Sequence, residues 1–187
     1  MSKSLTTADY QHFAKILNVP VASIRAVIAV ECNGKGFLPD GRPKILFERH
    51  WFYKLTPLPV SKTRPDISNP RSGGYLGGGR EWDRLNAAIS FDRTAALESA
   101  SWGLGQVMGF NHKAAGYFNV EDMVAAMHVS EGKQLEAMMN FIKANPVIHT
   151  SLRDRNWQRF AYHYNGPAYR KNDYDNKLAA AYQKFSA

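Results

Sequence analysis

The chain has 187 residues, 44% hydrophobic, 12% aromatic and 21% charged, enough apolar material for one packed core and too little length for two enzymes. Its formal net charge of +8 favours polyanions such as nucleic acid, anionic lipid or an acidic wall, yet Lys and Arg are scattered without a run of five, which excludes a basic tail. A single cysteine, Cys32, excludes an internal disulfide, and no apolar stretch reaches the roughly 18 residues of a membrane span; with no apolar region near Met1, cytoplasmic synthesis without a signal peptide is expected.

Thr6 or Thr7 caps an expected helix to about Asn18, whose apolar side takes Tyr10, Phe13, Ala14 and Leu17 at spacings of three and four. Pro20 suits the first turn of a second helix, in which Ile24, Val27, Ile28 and Glu31 share one face before Asn33-Gly34-Lys35-Gly36 stops it. Phe37 to Pro43 reads as a turn around Asp40-Gly41, and Lys44 to Leu55 as a short strand leading into a helix. Thr56 to Gly79 carries Pro57, Pro59, Pro65 and Pro70 and glycines 73, 74, 77, 78 and 79, an irregular segment expected to form a functional rim.

Helices are predicted to resume at about Glu81, with Trp82, Leu85, Ala88 and Ile89, and again over Asp92 to Ser99, Val120 to His128 and Ser130 to Ala144. Met123, Met127, Leu135, Met138, Met139 and Ile142 form the row expected to pack inside, since thioethers fill irregular gaps. Trp157 to Tyr164 and Asp173 to Phe185 close the chain, interrupted by Asn165-Gly166-Pro167. Neither an internal repeat nor a heptad is visible.

Glu31 is the most informative residue. An apolar stripe carries it toward the interior, and the helix C-terminus disfavours its charge; both raise a carboxyl pKa and keep a proton available for general-acid catalysis. The plain alternative is a glutamate paired with an arginine or exposed at a frayed end. The glycines after it would let a substrate approach closely. Asp40 and Glu48 are the nearest second carboxylates, of the kind glycoside hydrolysis uses as nucleophile or water activator. Asp40 reads more simply as a turn residue, and Glu48 beside Arg49 as half of an ion pair.

Gly74 to Glu81 lacks the Lys followed by Ser or Thr of a phosphate-binding loop. The six histidines lack close metal-ligand spacing, so no metal is expected. Cys32 reads as a small buried thiol. In Ser101-Trp102-Gly103-Leu104-Gly105-Gln106, the glycines would let backbone lie against a ligand that Gln106 hydrogen-bonds, with Ser101 a small polar residue beside them. Trp102, with Tyr164-Asn165 further on, offers the aromatic faces and amides that suit sugars, although either cluster alone reads more simply as ordinary packing or a turn.

Together, Val30 to His50, Gly73-Gly74-Tyr75, Ser101 to Gly109 and Tyr164 to Tyr169 resemble the N-acetylmuramidase catalytic domain of phage endolysins, in order and over nearly the whole chain. That family is similar to goose-type lysozymes and transglycosylases, which place a catalytic Glu at a helix end and follow it with a Ser-x-x-Gly-Leu-x-Gln-like segment and a Tyr-Asn-containing one. The segment here is one residue shorter between Ser101 and Gly103. The resemblance implies a mainly helical, lysozyme-like α+β domain, with a small irregular or β-hairpin lobe around residues 37–80 walling a glycan cleft. It implies cofactor-free cleavage of the β-1,4 bond between N-acetylmuramic acid and N-acetylglucosamine, with Glu31 as general acid and Ser101, Trp102, Gln106, Tyr164 and Asn165 binding substrate.

One catalytic domain over residues 1–187 is expected, without a separate wall-binding domain, acting as a monomer on bacterial peptidoglycan in the periplasm or wall after holin-type release. The basic surface would supply attraction to an anionic wall or outer membrane, with no specific nucleic-acid partner. Alternatives are a lytic transglycosylase giving 1,6-anhydro ends, a non-catalytic wall-binding module, a nucleic-acid-binding domain suggested only by the +8 charge, and a tail-associated or secreted bacterial muramidase.

Overall fold

The computed structural model describes residues 3–32, 35–56 and 59–187. Helix α1 (Thr7–Leu17) starts at a capping box: the Thr6 hydroxyl accepts the Asp9 N–H, and the Asp9 carboxylate accepts the Thr6 N–H at 2.8 Å. Asn18 closes it in the left-handed conformation, and Phe13, Ala14 and Leu17 are buried as their spacing predicts. Helix α2 (Val21–Glu31) follows Pro20 and buries Ile24, Val27 and Ile28. Ile24 and Val27 are fully inaccessible, and burial on that scale contributes roughly 1.5–3 kcal/mol per side chain. The stop expected at Asn33-Gly34 lies outside the described residues, as do Met1, Ser2, Pro57 and Leu58.

Strand β1 (Ile45–Phe47) leads into α3 (Arg49–Leu55), and α4 (Arg80–Ile89) is followed by α5 (Arg93–Glu98), capped by Asp92. Strands β2 (Ala100–Trp102) and β3 (Val107–Met108) come next, then α6 (Val120–Val129) and α7 (Glu131–Ala144). The closing helices are α8 (Pro146–Arg153), α9 (Trp157–Asn165) and α10 (Tyr174–Ser186). Helix α10 packs along α2 and against α9, so the first and last parts of the chain share one core. The predicted methionine row is buried throughout.

The mainly helical reading holds, and residues 37–80 take the irregular form of the expected lobe, with the small sheet shared with residues 100–108. One three-stranded antiparallel sheet has the order β1-β2-β3, pairing Ile45 with Trp102, Phe47 with Ala100 and Trp102 with Val107. Residues 37–80 therefore contribute one strand, plus a bridge between Phe37 and Pro43, while residues 100–108 supply the other two. The short, fully buried run Ala100–Trp102 has no alternation to announce it. Helix α8 lies outside the predicted helices; Pro146 occupies its first turn, where its missing N–H costs no helical bond.

The irregular segment is ordered by two arginines and a glutamate. Glu81, fully buried, accepts N–H bonds from Phe47, Leu76 and Gly77 at 3.2, 2.6 and 2.9 Å. Arg84 bonds Glu81 at 2.8 Å, the Phe47 carbonyl at 2.9 Å and the Asp66 carbonyl at 2.7 Å. Burial would raise the Glu81 pKa, but these three amides and Arg84 outweigh it and hold the carboxyl below its ordinary range. Arg49 does not pair with Glu48; its guanidinium binds the carbonyls of Pro65, Arg71 and Ser72. Prolines and glycines deprive this loop of its own hydrogen-bond ladder, and the arginines supply the missing donors. Among the described residues no single helix is long and apolar enough to cross a membrane.

Candidate active site

Glu31 is the last residue of α2, and its apolar stripe delivers the carboxyl into the angle between the end of α9 and the start of α10. Asn165 Nδ2 donates to Oε1 at 2.9 Å, and among the described residues no cation pairs with the group. Burial pushes its pKa from the ordinary 4.5 up to about 7, against the opposing pull of the Asn165 amide. The negative end of α2 acts in the same direction as burial. The carboxyl is thus near half protonation at neutral pH, the condition for a proton donor.

Tyr164, beside Asn165 in sequence, stacks on Phe160 at 5.3 Å and donates its hydroxyl to the Gly105 carbonyl at 2.9 Å. Burial, reinforced by the Glu31 charge, keeps this phenol protonated and so a donor. The contact joins the turn between β2 and β3 to the helix end that touches Glu31. Within that turn Ser101 Oγ donates to Gln106 Oε1, and Gln106 Nε2 donates to the Gly103 carbonyl, both at 2.9 Å. Gln106 holds a left-handed φ of 47° at the closing position.

The segment follows the plainer of its two readings, a packed turn, in place of a ligand contact. A Cβ at Gly103 would meet the Gln134 side chain at 2.8 Å, and one at Gly105 would meet Met138 at 2.6 Å. Protein, rather than a ligand, occupies the space these glycines leave. Gln134, which bonds the Leu104 N–H at 2.9 Å and the Met127 carbonyl at 2.8 Å, fills part of it. A Cβ at Gly36, one of the glycines after Glu31, would also strike Gln134. Trp102 is 1% exposed, its Nε1 donates to the Leu97 carbonyl at 3.0 Å, and its ring meets Trp82 edge-on. It packs the core and has no face free for a sugar. Ser101 and Gln106 fix the turn with the groups expected to bind substrate.

The two other carboxylates occupy unlike settings. Asp40 is exposed, and Arg42 grips it at 2.6 and 2.9 Å while its other oxygen takes the Arg42 N–H. That hydrogen bonding holds its pKa below the ordinary range, as suits a turn residue. Glu48 lies between β1 and α3, its side chain 15% exposed. The Tyr75 hydroxyl is 2.9 Å from each Glu48 oxygen. His50 Nδ1 is 3.1 Å from Oε2 without hydrogen-bond alignment. Burial and the bond to Glu48 push the Tyr75 phenol up to about 12.

Sequence reasoning did not single out Tyr75 as a partner for Glu48. The signal was an aromatic residue beside two glycines: Gly73 and Gly74 have φ of 95° and 75°, and a Cβ on Gly74 would strike the Arg49 guanidinium at 2.8 Å. The glycine-rich stretch thus bends tightly enough to set Tyr75 on Glu48. Cys32 is buried, and burial followed by the Glu31 charge raises its thiol pKa strongly, so it remains an inert thiol. Among the described residues no three of His, Cys, Asp and Glu converge as metal ligands. A concavity of about 760 Å³ between the N-terminal segment, Arg25 and Phe185 does not include Glu31.

Residues 20–186 match the family Muramidase, described as N-acetylmuramidase. Among solved structures the chain is similar to the crystal structure of Burkholderia AP3 phage endolysin, with a TM-score of 0.95 and 44% identity. That match covers 100% of this chain and 73% of the endolysin. No curated protein matches.

Proposed function

Since the chain belongs to the N-acetylmuramidase family and is a peptidoglycan-degrading domain of the phage-endolysin type, we propose that it hydrolyses the β-1,4 bond between N-acetylmuramic acid and N-acetylglucosamine with Glu31 as general acid. The observation that carries this reading is a partly buried carboxyl with a neutral amide for its partner and a pKa of about 7. Glu31 protonates the glycosidic oxygen, the bond to the muramic acid C1 breaks, and positive charge develops on that sugar.

Glu48 is the second carboxylate of this proposal, because it is sheltered and meets only the Tyr75 phenol and the His50 imidazole, whereas Asp40 is neutralised by Arg42. It takes a proton from the attacking water, whose oxygen bonds to C1 and leaves a reducing muramic end. Asn165 and Tyr164 orient the acid and the wall beside it. In a phage setting the enzyme reaches the wall after holin-type release, and its +8 surface favours anionic wall or outer-membrane material.

Mass spectrometry of digested peptidoglycan tests the reaction. Reducing muramic ends released by wild type, and lost by orders of magnitude in Glu31→Gln with its circular dichroism unchanged, are the expected result. Ends carrying 1,6-anhydro rings would make the protein a lytic transglycosylase. Full retention of wall binding and of cleavage by Glu31→Gln would remove Glu31 from the chemistry. Surface attraction predicts a cleavage rate that falls as ionic strength rises.

A further inference from the structure

We propose that the outer flank of α9 carries a second, non-catalytic site that takes the carboxylates of the stem peptide attached to the glycan; the proposal rests on the muramidase reading above. A cavity of about 390 Å³ lies between α9 and the short 3-10 turn Pro167–Asn172. Arg159 and Arg170 line it, no carboxylate does, and among the described residues neither arginine belongs to an ion pair. Both guanidinium groups are solvent-exposed, and together they give the concavity a positive lining that suits an anion.

The wall is fixed before any ligand arrives. Tyr169 is buried; the Arg170 guanidinium lies 5.5 Å above its ring, and Arg170 Nε donates to the Tyr169 hydroxyl at 3.0 Å. Tyr162, 48% exposed, meets Tyr169 edge-on at 6.3 Å and presents an aromatic face to the opening. Asn156 uses its carbonyl to cap α9 at the Arg159 N–H, which leaves amide donors beside the two arginines. The lining is thus rich in donors and apolar ring surface, complementary to a short peptide with several carboxylates and few cations.

The cavity's position selects that occupant over a free polyanion. Gln158, Tyr162 and Asn165 are spaced four and three residues apart, so they form one ridge of α9. Asn165 ends the ridge on Glu31, and at 1.5 Å per residue the cavity begins roughly 5–10 Å back along the helix. A peptide attached to the lactyl group of a muramic acid held at Glu31 spans that distance in a few residues.

The test compares wild type with Arg159→Gln, Arg170→Gln and the double variant on intact peptidoglycan and on the same glycan stripped of peptides by an amidase. The double variant is expected to raise KM on intact peptidoglycan roughly five- to tenfold at low salt with kcat unchanged. Wild type on stripped glycan should show the same raised KM, and the substitutions should have no effect there. In parallel, the free stem tetrapeptide titrated into the Glu31→Gln protein should shift amide resonances of residues 156–170, an effect absent when both arginines are replaced. Equal losses on both substrates, no loss on either, or arginine-dependent binding of phosphate-headgroup vesicles without binding of the tetrapeptide would overturn the peptide site. Failure of wild type to release reducing muramic ends from intact peptidoglycan would instead overturn the muramidase reading.

Discussion

Replacing Glu31 by Gln should stabilise the fold while it abolishes catalysis, and the stabilisation should depend on pH in a direction the structure fixes. The folded protein holds the Glu31 proton more tightly than the unfolded chain does, since burial moves the pKa from 4.5 to about 7. A group raised on folding contributes stability that is complete below the unfolded value and is lost as pH climbs to the folded one. At about 1.4 kcal/mol per pH unit, the charged carboxylate therefore makes the fold about 3 kcal/mol less stable above pH 7 than it is below pH 4.5. Glutamine keeps the shape, still accepts from Asn165 and never ionises. Urea unfolding at pH 5 and pH 8 measures the effect, because every other carboxylate cancels in the difference between variant and wild type. The variant's advantage should grow by about 2–3 kcal/mol between those two pH values. An advantage that is equal at both, or absent at pH 8, would show that Glu31 is already charged and solvated when folded, and its use as a proton donor near neutrality would fail with it.

The same acid predicts that kcat/KM falls as pH rises through about 7, because the deprotonated form cannot donate. Asn165→Ala removes a bond that favours the charged form, so the alkaline midpoint should move upward by roughly one pH unit, and a downward or absent shift in the pH–rate profile would contradict the assignment. Tyr75→Phe deletes the donor to Glu48 and should lower kcat about 10- to 100-fold with little change in the melting temperature; an unaltered kcat would take Glu48 out of the reaction. Glu81→Gln leaves Arg84 charged and buried, which should cost about 3–5 kcal/mol in a urea titration and make residues 64–77 more open to limited proteolysis.

Residues whose partners lie nearby in sequence were the legible ones. The cap at Thr6, the stripe from Ile24 to Glu31 and the methionine row depend on helical period and capping, and both are local quantities. Glu31 could be singled out because one helix both buries it and opposes its charge. Asn165 was found as part of a motif, but its contact with a carboxyl 134 residues away was not in the local pattern. Glu81 and Arg84 carry no signal as a pair, since nothing within α4 reveals that its first turn is roofed by Phe47 and by residues 66–77.

The turn from Ser101 to Gln106 shows why composition alone misleads at such a site. Serine, tryptophan, glycine and glutamine suit a sugar, and they equally suit a tight turn that must satisfy buried backbone groups. Which use applies depends on what stands opposite, and here Gln134 and Met138 stand there. The turn therefore acts on the acid at one remove. Its Gly105 carbonyl receives Tyr164, Tyr164 fixes the end of α9, and that end holds the Asn165 amide on Glu31. Loosening the turn would first change how firmly the amide is aimed, and so the pKa of Glu31.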